Sequence, residues 1–301
     1  MKIGIIGGGS IGLLFAHYLS KDHQVCVYTR SKEQAKKLSI EGLIFEKGGK
    51  RINDSIHAAV LSDWRDQEDL TIIAVKQYDL QRVLDILAGI TPSFKSSFLF
   101  LQNGMGHLNL LKELKANHIF VGMVEHGANK IGTNHVLHTG DGMTKLALYS
   151  GNSLSILKEM AAPLSSQFPF IIEADYHEMM TKKLIVNSCI NPLTAILNVR
   201  NGELLENRYY KEIFKQLFLE ICLILNIADK KSTFAHIKDV CRKTAANRSS
   251  MLKDLDEKRP TEVDAILGYV IEKANQRQMA APLTESFYYL IKGKEYEERG
   301  K

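Results

Sequence analysis

The chain is 301 residues long, 45% hydrophobic and 24% charged, with a formal net charge of +5 at pH 7. This length is typical of two domains, and the composition is that of an ordinary soluble globular protein. The modest positive charge, without a dense Lys/Arg tract, favours an anionic small ligand and argues against nucleic acid as a partner.

The chain has four cysteines, at positions Cys26, Cys189, Cys222 and Cys241. Their scattered spacing predicts free thiols in a reducing compartment. His135 and His138 form a close histidine pair, but the turn-rich sequence around them predicts a surface loop. We therefore expect no metal site.

The apolar N-terminal segment could be mistaken for a signal peptide. Three consecutive glycines interrupt it, and no apolar run reaches the roughly 18 residues that a membrane span needs. We therefore expect a cytoplasmic protein that does not associate with membranes.

A glycine-rich turn joins the first strand pattern, "KIGII", to a helical pattern that begins at "SIGLLF". Gly7, Gly9 and Gly12 form G-x-G-x-x-G at this junction. In that motif the first glycine permits a tight turn, the second lets the backbone approach a pyrophosphate, and the third allows close helix–strand packing. The alternative is a merely glycine-rich turn, but strand, helix and second strand fall where the motif requires them. The predicted dinucleotide-binding residues are Gly7, Gly8, Gly9, Ser10, Ile11 and Gly12.

The end of the second strand pattern, "QVCVYT", indicates which dinucleotide binds. An NAD enzyme usually has an acid here for the ribose 2′-hydroxyl, whereas this sequence continues with Arg30 and has no acid before Glu33. Because arginine suits a 2′-phosphate, we expect NADP, bound as NADPH. Arg30 could instead be a solvated loop cation, and Ser31 could cap the next helix with Gln34 as its capping-box partner.

Further strand-like runs at 70–75, 97–102 and 118–124 alternate with helical patterns. This alternation predicts the α/β class, with a Rossmann-type doubly wound parallel sheet. Lys76 and Asn103 follow two of these strands, and ligands of such sheets bind at the carboxyl ends of strands. We expect both residues to contact the cofactor.

The next segment, residues 136–151, has turn residues at 140–142 and is predicted to form a hairpin. Strand-like alternation ends near residue 172, and Asp175 is placed to cap a long helix that runs to about Leu197. Further helical patterns lie at 208–226, 232–246, 249–257, 262–277 and 283–293.

These patterns predict two domains. Residues 1–172 form the NADP-binding Rossmann-type domain, and residues 173–301 form an all-helical C-terminal domain that binds substrate and carries catalysis. We expect the ligand cleft to lie between them.

The long helix carries a polar stripe. Lys183, Asn187 and Asn191 are spaced four residues apart, so at about 3.6 residues per turn they share one face of an otherwise apolar helix. Helix–helix hydrogen bonds would explain the two asparagines equally well, but a half-buried amine without a local carboxylate is costly. We therefore expect Lys183 to face an anionic ligand or a developing oxyanion.

The sequence resembles the ketopantoate reductases over its whole length. The resemblance rests on "GGGSIG", "VKQYD", "QNGMG", "KLIVNSCINPLTAILNVRNGEL", "NRSSMLKD" and "RPTEVDAI", in that order. The central helix motif is far more specific than the glycine loop. The resemblance implies NADPH-dependent reduction of a 2-keto acid, 2-dehydropantoate, to (R)-pantoate in pantothenate and coenzyme A biosynthesis.

The resemblance also implies roles for residues of the helical half. Lys183 matches the family's catalytic general acid, and Asn187 and Asn191 match amides that hold the substrate. Further substrate-binding positions are matched by Asn201, Asn247 and Ser250.

Four positions match contacts on the cofactor side. Lys76 and Asn103 match cofactor contacts, Asn103 also touching the substrate, and Gly127 matches a backbone contact near the nicotinamide. Glu262 matches an acid that meets cofactor and substrate when the cleft closes, although it could simply be a first-turn carboxylate after a Thr261 cap. The segment "VEHGAN" departs from the family pattern, since Glu125 and Gly127 stand where smaller or hydroxylic neighbours and an alanine are expected.

Two other functions remain open from the sequence. One is a related NADP-dependent 2-oxoacid or opine-type reductase with the same plan. The other is a non-catalytic dinucleotide-sensing protein, which would need the glycine loop and Arg30 but has no use for Lys183 among asparagines. A homodimer formed through the helical domain is a further expectation.

Overall fold

The computed structural model describes residues 1–164 and 166–298. The chain folds into two compact units. The first comprises residues 1–102 and 108–179, and the second comprises residues 103–107 with the described residues from 180 onward. The domain boundary expected after residue 172 stays a prediction. Among the described residues, no helix has both the length and the apolarity that a membrane crossing requires.

The strands all belong to the first unit. In the described part of the chain they are β1 (Lys2–Ile6), β2 (Gln24–Thr29), β3 (Leu43–Lys47), β4 (Lys50–Asp54), β5 (His57–Val60), β6 (Leu70–Ile73), β7 (Ser97–Phe100), β8 (Ile119–Val124), β9 (Gly127–Gly132), β10 (His135–Gly140), β11 (Thr144–Ser150) and β12 (Phe170–Glu173). Its helices are α1 (Ser10–Leu19), α2 (Lys32–Glu41), α3 (Gln77–Ile90), α4 (Leu108–Leu111) and α5 (Ser155–Ala161). Short 3₁₀ turns cover Leu61–Asp63 and Ala162–Leu164.

An eight-stranded sheet has the order β12-β11-β8-β7-β6-β1-β2-β5. The six strands from β8 to β5 run parallel, and β11 and β12 run in the opposite direction, with β11 antiparallel to β8 and parallel to β12. The order reverses between β1 and β6, which is the topological switch point where ligands of doubly wound sheets bind. The predicted Rossmann-type parallel sheet is confirmed.

The hairpin predicted over residues 136–151 is wrong. β10 lies in a separate four-stranded sheet of order β4-β3-β10-β9, whereas β11 pairs with β8 and β12 in the large sheet. β10 pairs with β9, which directly precedes it, and with the distant β3, and β11 pairs with β8 and β12, so neither strand has an edge left for the other. Residues 140–142 connect two sheets, because long-range pairing outweighs the local turn preference.

The predicted surface loop around the two histidines is also wrong, since both lie on β10. His138 is buried, with Nδ1 2.9 Å from the Tyr18 hydroxyl and Nε2 2.9 Å from the Gly140 carbonyl. Burial lowers the pKa of His138. Tyr18 also stacks on Phe168, with ring centroids 4.4 Å apart, so the histidine belongs to the aromatic core beneath α1.

The second unit is helical, as predicted. Its helices are α6 (Tyr176–Leu197, which begins in the first unit), α7 (Glu203–Glu206), α8 (Arg208–Ile224), α9 (Lys230–Lys243), α10 (Ser250–Asp256), α11 (Tyr269–Gln276) and α12 (Pro282–Glu298). The helix predicted over 262–277 is confirmed, but its first part, Asp264–Gly268, is π-helical and leads directly into α11. Such wide turns often occur at functional sites.

The four cysteines are free, as predicted. Cys189, Cys222 and Cys241 are buried in the helical unit, and Cys26 is half-buried in β2. Burial raises the pKa of Cys222 to about 11 and that of Cys241 to about 12, so both remain protonated and unreactive at neutral pH.

Candidate active site

Each of the three motif glycines of the first unit is required for a different structural reason. Gly7 has φ +123°, and its amide donates to the carbonyl of Tyr28 at 2.9 Å. A Cβ added at Gly12 would lie 1.8 Å from the Gly7 carbonyl oxygen, so α1 could not pack here with any side chain. A Cβ at Gly9 would meet nothing within 4 Å. The space beside Gly9 therefore fits the close approach of a pyrophosphate, as the motif requires.

Ser10 opens α1 and Ile11 follows it, both half-buried. Beside them, the Gln34 side-chain nitrogen donates to the carbonyls of Gly8 at 2.7 Å and Thr133 at 2.8 Å. Ser31 caps α2 as predicted, accepting from the Gln34 backbone amide. The capping-box role expected of the Gln34 side chain is wrong, because that side chain holds the glycine loop instead.

Arg30 extends from the carboxyl end of β2, the strand next to β1. Its side chain is 77% exposed, and Nη1 lies 3.8 Å from Asp79 Oδ1 in the first turn of α3. Exposed pairs of this kind contribute little to stability. The guanidinium is therefore available to a ligand phosphate at low cost.

Lys76 lies at the N-cap of α3, three residues after the last residue of β6. Gln102, buried at the end of β7, donates through its side-chain nitrogen to the carbonyls of Ile73 at 3.0 Å and Val75 at 2.9 Å. These two bonds fix the backbone that presents Lys76. The sequence contained a signal for Gln102, a polar residue that closes an apolar strand, but its partners were not predictable.

Gly127 begins β9, shortly after the end of β8, and pairs with Gly140 of β10. A Cβ here would lie 2.7 Å from the Thr139 hydroxyl oxygen. The departure from the expected alanine therefore has a local packing reason.

In the second unit, α6 carries the predicted polar stripe. Asp175 caps the helix as predicted, its Oδ1 accepting from the backbone amide of His177 at 2.7 Å. Lys183 and Asn187 are half-buried and Asn191 is 6% exposed. Of the apolar residues between them, Leu184, Ile185, Cys189 and Ile190 are buried, so the stripe forms one edge of a helix that otherwise packs into the core.

Ser250 brings a second element to this stripe. It is the exposed first residue of α10, and its Oγ lies 3.4 Å from Asn191 Nδ2. Ser249, one residue earlier, is the N-cap of α10 and accepts from the Leu252 amide at 3.2 Å.

Asn201 and Asn247 hold two turns together. The Asn201 amide donates to the Asn247 carbonyl at 3.0 Å, and Asn201 Nδ2 donates to Thr244 Oγ1 at 2.9 Å. Asn201 Oδ1 is buried and has no hydrogen-bond partner among the described residues. An orphan acceptor costs about 1–3 kcal/mol, which a ligand hydroxyl would recover. The Asn247 side chain is exposed.

Asn103 pairs with Glu262, although 159 positions separate them in the sequence. Asn103 Nδ2 donates to Glu262 Oε2 at 2.8 Å, and Glu262 is only 6% exposed. The segment 103–107 follows β7 but belongs to the helical unit. It is held there by the Met105 amide, which donates to the Ala265 carbonyl at 3.2 Å.

The turn that carries Glu262 is tied down by a buried acid. Glu295 Oε1 accepts from the Thr261 amide at 2.6 Å, and the Thr261 hydroxyl accepts from the Val263 amide at 3.2 Å. Thr261 therefore caps this turn as predicted, while the Glu262 carboxylate is held by Asn103. Sequence reasoning missed Glu295 because nothing local indicates its distant partner.

The described residues contain no group of three or more His, Cys, Asp or Glu side chains arranged to hold a metal ion. Within the helical unit the structure brings together Asn103 with Glu262, Asn191 with Ser250, and Asn201 with Asn247. The arrangement offers one amine, several amides and a buried carboxylate, which together suit a small polar substrate.

Two protein-family models match the chain. The model described as "Ketopantoate reductase PanE/ApbA" matches residues 3–151, and "Ketopantoate reductase PanE/ApbA C terminal" matches residues 175–295. A 2-dehydropantoate 2-reductase from Bacillus subtilis is 43% identical over 298 residues, covering 98% of each chain. One from Listeria innocua is 36% identical and covers 99% of this chain and 98% of its own.

Solved structures agree with these relatives. A probable 2-dehydropantoate 2-reductase from Bacillus subtilis superposes with a TM-score of 0.89 at 42% identity, covering 98% of this chain and 100% of its own. D-mandelate dehydrogenase with NADH and anilino(oxo)acetate also has a TM-score of 0.89, at 25% identity, covering 99% and 100%. On both domain models and full-length identity, this chain belongs to the ketopantoate reductase family.

Proposed function

We propose that this protein reduces the ketone of 2-dehydropantoate to (R)-pantoate, with NADPH as the reductant, in pantothenate biosynthesis. The observation that carries the proposal is the stripe of Lys183, Asn187 and Asn191 on α6. A dinucleotide sensor would need the glycine loop but not an amine aligned with two amides. The relatives that cover nearly the whole chain are named for this reaction.

The cofactor class is a nicotinamide dinucleotide. The open space beside Gly9 and the switch point between β1 and β6 fit such a ligand, and D-mandelate dehydrogenase, a structural neighbour, binds NADH. The preference for NADPH rests on Arg30, whose exposed guanidinium suits a 2′-phosphate. Lys76, held by the Gln102 bonds to the end of β6, is the second cation on this side.

Ketone reduction leaves negative charge on the carbonyl oxygen, which then takes a proton. The bound cofactor supplies the hydride. Lys183 donates the proton as general acid, and its positive charge stabilises the developing oxyanion. Asn187 and Asn191 hold the keto acid beside Lys183 through amide hydrogen bonds.

The remaining groups orient the substrate. Asn201 Oδ1 accepts a substrate hydroxyl, and the Ser250 hydroxyl and the Asn247 side chain bind its polar groups. Glu262 fixes the Asn103 amide through the 2.8 Å bond, which leaves the Asn103 oxygen oriented for a ligand. Gly127 contributes a backbone contact to the nicotinamide.

The direct test is NADPH oxidation with a panel of 2-keto acids. The panel contains 2-dehydropantoate, pyruvate, phenylglyoxylate, and pyruvate with an amino acid as the opine-type substrate pair. We expect the highest kcat/KM with 2-dehydropantoate. A higher value with phenylglyoxylate, or turnover that requires the amino acid, would assign a related reductase instead, and no turnover at all would favour a sensor.

We also propose a homodimer formed through the helical unit. Leu219 and Leu223 on α8 are 43% and 57% exposed, and Tyr289 and Leu290 on α12 are 68% and 51% exposed. A ketopantoate reductase from Staphylococcus aureus, 21% identical, is described as dimeric. Light scattering should give twice the mass of the 33.9 kDa chain. The L219E/L223E variant should be monomeric, and an unchanged mass would reject this surface.

The four free cysteines and the use of NADPH fit a reducing compartment, so we further propose a cytoplasmic location.

A further inference from the structure

Two contacts join α6 to the start of α10, and they differ in kind. The Thr194 and Ser249 hydroxyl oxygens lie 2.8 Å apart, and these residues are 0% and 5% exposed. Asn191 Nδ2 and Ser250 Oγ lie 3.4 Å apart, and Ser250 is exposed. The Thr194–Ser249 contact is short and buried, whereas the Asn191–Ser250 contact is long and accessible to solvent.

The buried pair is satisfied without a ligand. Thr194 Oγ1 also lies 2.8 Å from the Ile190 carbonyl, and Ser249 Oγ accepts from the Leu252 amide at 3.2 Å. When the Ser249 hydroxyl donates to the Thr194 hydroxyl oxygen, and the Thr194 hydroxyl donates to the Ile190 carbonyl, both hydroxyls are satisfied. The pair therefore connects the backbone of α10 to the backbone of α6.

The exposed pair has the opposite property. The separation of 3.4 Å exceeds the usual 2.7–3.2 Å of a good N–H···O bond. The contact between Asn191 and Ser250 is therefore weak. Asn191 and Ser250 thus lie side by side, and within the described part of the chain most of the hydrogen-bonding capacity of their side chains is unused. A small ligand could accept from both.

The helix needs a connection at this point because Pro192 interrupts it. Proline lacks the N–H that would bond to the Ser188 carbonyl, and its ring disturbs the preceding turn. The backbone ladder of α6 alone therefore does not determine where Asn191 points. A hydroxyl bridge at Thr194, less than one turn away, restores that constraint.

We propose that Thr194 and Ser249 are positioning residues: their buried bond sets the separation of Asn191 and Ser250 and thereby the affinity for the keto acid. The proposal rests on the substrate role given above to Asn191 and Ser250. Neither Thr194 nor Ser249 touches the substrate.

The test is Thr194→Val, which removes the hydroxyl and keeps the shape. Loss of one buried hydrogen bond that orients a ligand group should raise KM for 2-dehydropantoate by roughly 5–30-fold. We expect kcat to change less than threefold and NADPH affinity, measured by fluorescence titration, to stay constant. Thr194→Ser keeps the hydroxyl and should return KM to within about threefold of the wild-type value.

Thr284→Val is the matched control. Thr284 is also fully buried in the helical unit, and its hydroxyl donates to Glu220 Oε1 at 2.7 Å. Both valine variants should lower the melting temperature, but only Thr194→Val should raise KM. An equal rise in KM with Thr284→Val would show a general loss of stability and overturn the proposal.

If Thr194→Val does not fold, Ser249→Ala replaces it, because Thr194 then still donates to the Ile190 carbonyl. A folded variant of either kind with wild-type KM overturns the proposal, as does a Thr194→Ser variant as impaired as Thr194→Val. Asn191→Ala and Ser250→Ala, measured in parallel, distinguish failure of the substrate role from failure of the positioning role. If they raise KM and Thr194→Val does not, only the positioning role fails. If they leave KM unchanged, their substrate role fails, and the positioning proposal falls with it.

Discussion

The glycine loop of the first unit and the polar stripe of the second are built in opposite ways. The loop depends on missing side chains, since a Cβ at Gly12 would lie 1.8 Å from the Gly7 carbonyl oxygen. The stripe depends on side chains that are present, at Lys183, Asn187 and Asn191. Changing Gly12 should therefore affect the fold, whereas changing the stripe should affect chemistry alone.

Packing explains why the stripe can be altered without loss of the fold. Leu184, Cys189 and Ile190 of α6 are 1%, 0% and 3% exposed and bury the helix on its apolar side. Burying a side chain of this size contributes about 1.5–3 kcal/mol. The polar edge is not needed for that packing. In the glycine loop the two roles lie on neighbouring residues, with close packing at Gly12 and open space for a ligand at Gly9.

Lys183→Ala should produce the largest effect on turnover. A positioned acid typically contributes about 10²–10⁴ in rate, so kcat should fall by that order while the melting temperature and NADPH affinity persist. The matched control is Lys182→Ala, one residue earlier on α6 and exposed, which should retain kcat. A Lys183→Ala enzyme with nearly wild-type kcat would make the stripe a packing feature.

Gly12→Ala and Gly9→Ala should separate packing from binding inside the loop. Gly12→Ala forces α1 away from β1 and should lower the free energy of unfolding by about 3 kcal/mol, the upper end of the usual cost of overpacking. Gly9→Ala points its methyl group into open space and should leave the melting temperature unchanged. It should nevertheless weaken NADPH binding, because the methyl group occupies the pyrophosphate's path. Equal melting temperatures for the two variants would contradict this distinction.

The features predictable from the sequence are those that repeat locally. The glycine spacing, the strand–helix alternation and the four-residue interval of Lys183, Asn187 and Asn191 each lie within one or two elements. Their positions in the structure agree with the sequence because sterics and helical periodicity act over a few residues. The predicted cap at Asp175 is confirmed for the same reason.

The features that escaped prediction are partnerships over long distances in the sequence. Asn103 with Glu262, and Thr194 with Ser249, are joined by folding and have no local signature. The failed hairpin at 140–142 belongs to the same class, since β10 pairs with the distant β3 and β11 pairs with β8. Local turn chemistry is a preference of about 1 kcal/mol or less, and a full ladder of strand bonds exceeds it.

Arg30→Ala should have a smaller effect, confined to one cofactor. Loss of an exposed charge-assisted contact to the 2′-phosphate should weaken NADPH binding about tenfold, equivalent to about 1.4 kcal/mol, and leave NADH nearly unchanged. Isothermal titration with both dinucleotides measures this difference. Arg82→Ala, another exposed arginine of the first unit, is the control and should affect neither. Equal losses for NADPH and NADH would make Arg30 a loop cation without a cofactor role.

Substitution of His107 in the helical unit should have the smallest effect at neutral pH. Its effect on the free energy of unfolding should grow as the pH is lowered. His107 is fully buried, and neither ring nitrogen has a hydrogen-bond partner among the described residues. Burial lowers the pKa of His107 from 6.5 to about 3. Below about pH 6.5 the histidine is protonated in the unfolded chain, whereas in the folded chain it stays neutral down to about pH 3. The free energy of unfolding therefore falls as the pH falls through this window. At pH 5 the loss should be about 2 kcal/mol, since each pH unit below 6.5 costs about 1.4 kcal/mol.

His107→Leu should abolish this loss, and the wild-type and variant unfolding free energies, measured in urea at pH 7, 6, 5 and 4, should diverge steadily. His126 in the first unit also has its pKa lowered by burial, to about 4, so the variant should keep some acid sensitivity from that source. His236→Gln, an exposed histidine of α9, is the control and should follow the wild-type curve. Parallel curves for wild type and His107→Leu would mean that the buried ring is already solvated or protonated in the folded chain. The stability of the helical unit would then not depend on the protonation of His107, just as it is expected not to depend on the polar side chains of the stripe.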